Sequence, residues 1–445
     1  MLPAHQILAR FDRIPIWPWP RKLLWVVGFG FFFAFFDIVT IGFALPVLIK
    51  QFHVTAEAAS WAITSSLIGY IVGSFLDSRL SDRFGRKVGL YVSVSLFAFG
   101  SLLSATSPNL GWLIFWRVIA GMGIGAEIAA VTTYMSELTP AARRGRYTGW
   151  AISAGFLGFA VVPFAALALI PNYAWGWRAL FAIGAVGGIV LLFMRRHMPQ
   201  SPHWLLHHGR DEEAQATVTQ AEKLGAQKLG RTLPPVSESK QDIQEQKGRL
   251  MDLFRPPYLG RLALFAVIWF CYYIGNYAWL TLAPELLAKH GIPLKNSIAF
   301  LSVTGIGFVA GSVIAALVSD RIERKVSTAL ICLAWTACLL IIGFFPSKDT
   351  IMIVGFLAST SIGLVVPILY TYTAENFTTA FRATGVSVTD GLGHLGGAFC
   401  GQIVFAVYHA YGFSGAFVAM AATGLMAAVL LSFGIRATGR SLHHL

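Results

Sequence analysis

Four ionisable residues, Asp37, Arg117, Glu127 and Asp390, lie inside long apolar stretches of the sequence. A fifth, His394, follows Asp390 by four residues, so the two share one face of a helix. Ionisable groups in apolar segments of about 20 residues are costly and usually functional. Carboxylates and histidine take up and release protons, and an arginine beside a carboxylate favours its ionised form. These five residues are therefore the first candidates for proton chemistry.

The stretches that carry these residues are long enough to cross a lipid bilayer. Of the 445 residues, 56% are hydrophobic and only 12% are charged, against about 25% charged in soluble domains. A bilayer core needs about 20 apolar residues per helix. Twelve segments come close to or exceed that length: 23–49, 58–80, 88–106, 111–136, 147–170, 176–195, 259–287, 297–319, 327–345, 350–373, 384–408 and 412–435. The sequence predicts an all-α membrane protein with twelve transmembrane helices and the lipid bilayer as its main surroundings.

Two octets repeat after the second and the eighth of these segments. Ser81–Val88 reads SDRFGRKV and Ser319–Val326 reads SDRIERKV, so six of eight positions match. Repeated halves are typical of alternating-access transporters. We therefore predict two pseudo-symmetric six-helix halves, residues 1–195 and 258–445, joined by a cytoplasmic central loop, residues 196–257.

The formal net charge of +13 is explained by loop composition and does not indicate a nucleic-acid partner. Lys and Arg collect in the loops after segments two, four, eight and ten, and such an excess marks the cytoplasmic side. Both termini and the central loop then lie in the cytoplasm, and the expected location is the inner membrane of the cell. Within the central loop, the charged stretch 211–229 has the pattern of an amphipathic helix.

No motif for catalysis or for a cofactor is found in the sequence. The four cysteines lie in apolar stretches without C-x-x-C spacing, so neither a metal site nor a disulfide framework is indicated. A nucleotide-binding loop and a catalytic triad are absent from the sequence as well. We expect a protein that is not an enzyme, uses no cofactor or metal, and acts on a small molecule as a monomer.

Several motifs resemble those of the major facilitator superfamily, and together they cover most of the chain. DRFGRK and DRIERK resemble its loop motif after helices two and eight, and RVIAGMGIGAE resembles its helix-four motif. SELTPAARRG, MPQSPHWLL and YTAENFTTAFRATG resemble signatures of its sugar-porter-like and organic-ion-porter-like branches. The start of the chain is similar to bacterial metabolite:proton symporters, including nicotinate and aromatic-acid transporters. The resemblance implies the major facilitator fold and proton-coupled transport.

The chain departs from these family patterns at positions that bear on the substrate. Ser78 stands where the loop motif has Gly, Gln200 and His203 replace Glu and Arg of the PESPRWL signature, and His394 stands where the relatives carry Arg. Thr379 and Ala380 weaken the PTR stretch of the helix 10–11 signature. These departures leave the fold prediction intact and the substrate open.

Asp37 and Arg117 are predicted to meet inside the membrane. At 1.5 Å per residue, both lie roughly 21 Å from the cytoplasmic end of their helices, one and four. While Arg117 is nearby, it keeps the Asp37 carboxylate ionised, and separation of the two side chains favours protonation of Asp37. The pair is then either a protonation switch or a static ion pair. The resemblance to proton-coupled sugar porters implies the switch. Glu127 points about 80° away from Arg117 and is either a second proton site or substrate contact, or a carboxyl hydrogen-bonded between helices four and five.

A set of polar and aromatic residues in helices seven, ten and eleven is the candidate substrate site. In helix seven, three of them share a face by spacing, and an aromatic wall with an amide anchor suits a flat organic anion. Ordinary aromatic packing is the alternative. The set consists of Tyr272, Asn276, Trp279, Tyr370, Asp390 and His394.

Charged residues in the loops on the basic side are candidates for gating. They recur in both halves and can form charge-assisted contacts near helix ends; solvated loop charge is the alternative. They are Asp82, Arg83, Arg86, Glu137 and Arg144 in the first half, and Asp320, Arg324, Glu375 and Arg382 in the second.

These features favour a secondary active transporter that imports a small organic metabolite together with protons. A planar carboxylate, such as an aromatic or pyridine acid, fits a site with a cation, a histidine and aromatic rings. Three alternatives remain open: a proton-coupled exporter, a facilitative uniporter and a sugar:proton symporter.

Overall fold

Helices make up the whole of the regular structure in the described part of the chain. The structure, a computed structural model, describes residues 3–140, 143–236, 253–256, 258–318, 322–377 and 381–435. The first half contains α2 (Arg21–Phe52), α3 (Ala56–Phe84), α4 (Arg86–Ala105), α5 (Leu110–Leu138), α6 (Arg144–Leu169) and α7 (Gly176–Met194). The second contains α10 (Tyr258–Lys289), α11 (Leu294–Val318), α12 (Arg324–Phe344), α13 (Lys348–Glu375), α14 (Arg382–Ala398) and α15 (Cys400–Leu431). Three shorter helices, α1 (Ala4–Asp12), α8 (Pro202–His207) and α9 (Asp211–Leu229), complete the fold.

Within the described residues, eleven helical spans are long and apolar enough to cross a membrane. The last of them, Thr384–Leu431, has 48 residues and would extend about 72 Å, more than twice a ~30 Å bilayer core. It is broken at Gly412, whose φ of +69° is a conformation that glycine adopts easily. Beyond the break, Ser414 bonds to the end of α12 through the carbonyl of Gly343. The span therefore contains two crossings, as the twelve-helix prediction requires.

The two halves repeat one packing scheme. In the first half α3 packs on α5, α5 on α4, α4 on α7 and α2 on α6; in the second, α11 packs on α13, α13 on α12, α12 on α15 and α10 on α14. Contacts between the halves follow the same symmetry, because α2 meets α10, α3 meets α14, and α6 meets α11. The predicted pseudo-symmetric all-α architecture is confirmed.

The two halves join mainly toward the end of the bundle opposite the basic loops. Thr64 donates to the carbonyl of Ala398 over 2.6 Å and accepts from Gln402 over 3.0 Å. Nearer that end, Glu57 of α3 contacts His409 of α15 at 2.5 Å. The ion pairs at the end that carries the basic loops, described below, each stay within one half. The structure is thus closed at the end that the loop charges predict to face outward.

The three short helices form a unit against the first half, at the end that carries the basic loops. The helix predicted at 211–229 is confirmed as α9. Ile7 and Phe11 of α1 pack against Val218 of α9, and Glu222 accepts from Arg10 at 2.5 Å and from Arg13 at 2.6 Å. We call these contacts between α1 and α9 the N-terminal clasp.

Glu222 gives the N-terminal clasp a defined pH dependence. Partial burial raises the pKa of Glu222, but hydrogen bonds from Arg10 and Arg13 outweigh this effect and lower the pKa below its usual 4.5. A lowered folded pKa contributes stability that is fully present above 4.5 and is lost as the pH falls through the folded value. The clasp should therefore weaken only in acid.

We expect Glu222→Gln to loosen α1 at neutral pH, because the neutral amide is a weaker acceptor for two guanidinium groups. Hydrogen exchange of residues 4–12 should be faster in the variant than in the wild type at pH 7. Well below pH 4.5 the two rates should match, because the wild-type Glu222 side chain is then uncharged like the substituted glutamine. Glu213→Gln is the matched control, since Glu213 is 56% exposed on the same helix. Equal exchange in wild type and Glu222→Gln at neutral pH would contradict the clasp.

Candidate functional site

Asp37 and Arg117 form a fully buried ion pair in the first half. Arg117 Nη1 donates to Asp37 Oδ2 over 2.6 Å, and both side chains are shielded from solvent. Ser101 donates to Asp37 Oδ1 over 2.8 Å, and Arg117 Nη2 donates to Ser66 over 2.8 Å. The guanidinium also lies 5.1 Å from the ring centre of Phe181. The contact expected from equal helix depth is therefore present, and five helices contribute to it.

Close packing of α3 on α5 places this pair. A Cβ at Gly121 of α5 would overlap the backbone of Ser66, and one at Gly125 would overlap the backbone of Tyr70. Small residues that allow such close approach are common between membrane helices. The two helices are therefore in direct backbone contact, and the hydroxyl of Ser66 is held within reach of Arg117.

A second buried ion pair joins Glu127 to Arg195, at the end of α7. Arg195 Nη1 donates to Glu127 Oε2 over 2.8 Å, Nη2 contacts the other carboxylate oxygen, and Ser93 donates to Oε2 over 2.7 Å. Gly30 of α2 packs directly over the pair, where a Cβ would collide with both side chains. Glu127 thus connects α5 to α4 and α7, and Arg195 is a partner that the sequence pattern does not reveal.

Asp390 lies at the centre of a tyrosine cluster in the second half. Tyr273 donates to Asp390 Oδ1 over 2.9 Å, and the Tyr370 hydroxyl contacts the same oxygen. The two hydroxyls are themselves 3.2 Å apart. Because both hydroxyls meet one oxygen of Asp390, these contacts hold its carboxyl group and the two rings in place. Of the predicted substrate residues, Tyr370 and Asp390 are therefore in direct contact.

His394 extends this cluster to the boundary between the halves. Its Nδ1 lies 2.9 Å from the backbone oxygen of Asp390 and 3.5 Å from the Asp390 carboxylate. Its ring centre lies 4.4 Å from that of Tyr273 and 5.8 Å from that of Tyr277, both on α10. The ring also stacks on Tyr70 of α3, from the first half. The predicted Asp390–His394 neighbourhood is present.

The other three predicted substrate residues lie on a neighbouring face of α10. Tyr272 packs toward Trp335 of α12, with ring centres 6.0 Å apart, and its buried hydroxyl has no hydrogen-bond partner among the described residues. Trp279 donates to Ser359 of α13 over 3.0 Å and lines a small apolar cavity between the halves. Asn276 is buried, and its Oδ1 likewise has no partner in the described part of the chain. Asn276 and Trp279 have no described contact with the Asp390–His394 cluster, and the described contact of Tyr272 with it is a ring contact with Tyr273, with centres 5.9 Å apart.

The candidate gating residues form an ion pair in each half. Arg86 donates to both oxygens of Glu137, over 2.8–3.1 Å, and also contacts Asp82. In the second half, Arg324 contacts Glu375. Arg83 instead lies 5.2 Å from the ring centre of Phe84. Asp320 and the side chains of Arg144 and Arg382 lie outside the described residues.

The segment after α7 packs against the turn between α3 and α4, beside the Arg86–Glu137 pair. Gln200 accepts from the backbone NH of Lys87 over 3.2 Å, and Trp204 donates to the backbone oxygen of Asp82 over 2.8 Å. Gly85 permits this contact, because its φ of +104° suits glycine and a Cβ there would overlap Gln200. Two motifs that are distant in sequence, SDRFGRKV and MPQSPHWLL, thus form one structure.

Comparisons with known proteins agree on one family. A family model described as Major Facilitator Superfamily matches residues 27–401. The niacin transporter NiaP of Acinetobacter baylyi is 29% identical over 98% of each chain, and the putative metabolite transport protein YyaJ of Bacillus subtilis is 27% identical over 97% of this chain and 95% of its own. A partially occluded inward-open structure of the xylose transporter XylE from E. coli superposes with a TM-score of 0.76 at 19% identity, over 94% of this chain and 99% of that one. The chain therefore belongs to the major facilitator superfamily and is a multi-pass membrane transporter rather than an enzyme.

Proposed function

We propose that this transporter imports a small planar organic acid together with protons, by alternating access, across the inner membrane of the cell. The basic loops and both termini face the cytoplasm in this proposal, and the protein acts as a monomer in the bilayer. Asp37 carries the proton with Arg117 as its cationic partner, Asp390 and His394 hold the acid, and the cytoplasmic ion pairs control opening. The observation that carries the proposal is the buried Asp37–Arg117 pair.

A carboxylate in this position can be neutral only if its cationic partner moves away. Arg117 and Asp37 are both shielded from solvent, where charge interactions are far stronger than in water. Removing one charge from such a pair leaves the other uncompensated, which costs about 3–5 kcal/mol. Protonation of Asp37 and the conformation of the surrounding helices must therefore change together, which is the requirement for coupling a proton to a structural transition.

The variant Asp37→Asn tests proton coupling. We expect it to lose uptake driven by a pH gradient and to retain counterflow exchange of the substrate, because exchange needs no net proton movement. Both are measured in proteoliposomes with radiolabelled substrate. Ser95→Ala is the matched control, since Ser95 is an exposed α4 serine whose described hydrogen bond stays within its own helix. Full gradient-driven uptake by Asp37→Asn would remove that residue from the mechanism.

The substrate proposal rests on the cluster around His394. A protonated imidazole donates to a carboxylate, and the surrounding tyrosine rings offer flat apolar faces. The niacin transporter NiaP, by its name, carries a pyridine acid, and it is similar to this chain over nearly its whole length. A sugar would need several amide and hydroxyl partners, and within the described His394 cluster the hydroxyls of Tyr273 and Tyr370 are already bonded to Asp390.

Two adjacent tyrosines provide a matched test of the substrate site. Tyr273→Phe removes a donor to Asp390 and leaves more uncompensated negative charge beside the bound acid, so we expect the affinity for benzoate and nicotinate to fall about tenfold. Tyr272→Phe should leave the affinities for benzoate and nicotinate unchanged, because the Tyr272 hydroxyl has no hydrogen-bond partner among the described residues. Binding is measured by calorimetry on purified protein, with glucose as the comparison ligand. Glucose binding without acid binding would reject the acid proposal.

The cytoplasmic ion pair of the first half gives a prediction about rate. Arg86 and Glu137 are each 15% exposed, whereas Asp82 is 66% exposed. Exposed pairs contribute about 0–1 kcal/mol, and hydrogen bonds between charged groups that are partly buried contribute more. We expect Glu137→Gln to lower the maximal uptake rate several-fold and Asp82→Asn to lower it less, both with little change in KM. Loss of affinity at an unchanged maximal rate would contradict a gating role.

A further inference from the structure

Tyr70 and His394 form a parallel ring stack that joins the two halves. The ring centres are 4.2 Å apart and the planes differ by 15°. Tyr70 belongs to α3 in the first half and His394 to α14 in the second, and both side chains are buried. Most of the described aromatic contacts are tilted or edge-on, so a near-parallel pair marks a place where two flat surfaces face each other.

The polar atoms around this stack leave one group of His394 unused. Because a backbone oxygen can only accept, the 2.9 Å contact with Asp390 places a proton on His394 Nδ1. The side chain of Asp390 is already bonded by Tyr273 and Tyr370. Among the described residues, neither His394 Nε2 nor the Tyr70 hydroxyl has a hydrogen-bond partner. When the imidazole is protonated, the positive charge at Nε2 therefore has no hydrogen-bond acceptor among the described residues.

We infer that Tyr70 is a specificity-determining residue, whose ring forms the first-half wall of an aromatic slot completed by His394. This inference deepens the proposed function and rests on it. Alternating access moves α3 relative to α14, and the flat ring of an aromatic acid then enters between the two rings. The acid keeps parallel stacking on both faces, and the positive charge of the protonated His394 ring lies beside its carboxylate and compensates it. In the closed structure the two walls lie in direct contact.

The slot explains a preference for flat rings by geometry alone. Offset stacking needs a planar partner on each side, whereas a saturated six-membered ring is thicker and presents no π face. The Tyr70 hydroxyl plays no part in this contact, so the ring is the feature that matters. A tyrosine from the first half therefore distinguishes aromatic from saturated acids, and the second half provides the charge contact.

Binding of benzoate and cyclohexanecarboxylate to the purified full-length protein tests this inference. We expect wild type to prefer benzoate, Tyr70→Phe to keep that preference, and Tyr70→Leu to lose benzoate affinity about three- to tenfold with cyclohexanecarboxylate affinity unchanged. Tyr70→Met, unbranched and flexible, serves as a second variant if the leucine variant folds poorly, and thermal unfolding of each variant is measured in parallel.

The outcomes separate this inference from the function on which it rests. Wild type that binds neither acid rejects the substrate proposal and the slot with it. Wild type that prefers benzoate, with the same preference in Tyr70→Leu or Tyr70→Met, rejects the slot alone. Equal loss of both acids in these variants shows a structural role for Tyr70 and also overturns the inference.

Discussion

A charge inside a bilayer must be compensated by another charge, and much of the first half is arranged to meet this requirement. Asp37 and Arg117 compensate each other directly, while Ser101, Ser66 and the ring of Phe181 complete the surroundings. Their five helices cannot shift independently without exposing one partner to an apolar environment. The ion pair therefore constrains the arrangement of the first half.

The Glu127–Arg195 pair meets the same requirement in a different place. It connects α5, α4 and the end of α7 at the level where the chain leaves the membrane region for the central segment. Just beyond it, Gln200 and Trp204 fix that segment against the loop after α3. The N-terminal clasp adds α1 and α9 to the same body. Each of these contacts lies within the first half and the segment that follows it, and none involves a residue of the second half.

Helix depth is predictable from the sequence, and helix neighbours are not. The rise of 1.5 Å per residue is fixed, so counting residues alone places Asp37 and Arg117 at equal depth. Arg195 escapes prediction because rotation along α5 gives the direction of Glu127 but not the helix that lies in that direction. Spacing favours Tyr272 over Tyr273 for a similar reason: it defines a face of α10, while only the bundle decides that the neighbouring face meets His394. A repeated octet, in contrast, is enough to predict the symmetric halves, because internal similarity directly reflects repeated structure.

Ser66 and Tyr70 are four residues apart on α3, so one turn of helix separates the acceptor for Arg117 from the ring that stacks on His394. In the proposed mechanism, a ligand that displaces Tyr70 displaces α3 and, through its close packing, α5 as well, so Ser66 and Arg117 together shift relative to Asp37 on α2. Thermodynamic reciprocity then applies: if an acid in the slot favours protonation of Asp37, protonation of Asp37 must tighten binding of the acid by the same factor. Cooperativity between proton and substrate thus needs no long pathway through the protein. Ser66 and Tyr70 are separated along α3 by only about 6 Å, the rise of four helical residues.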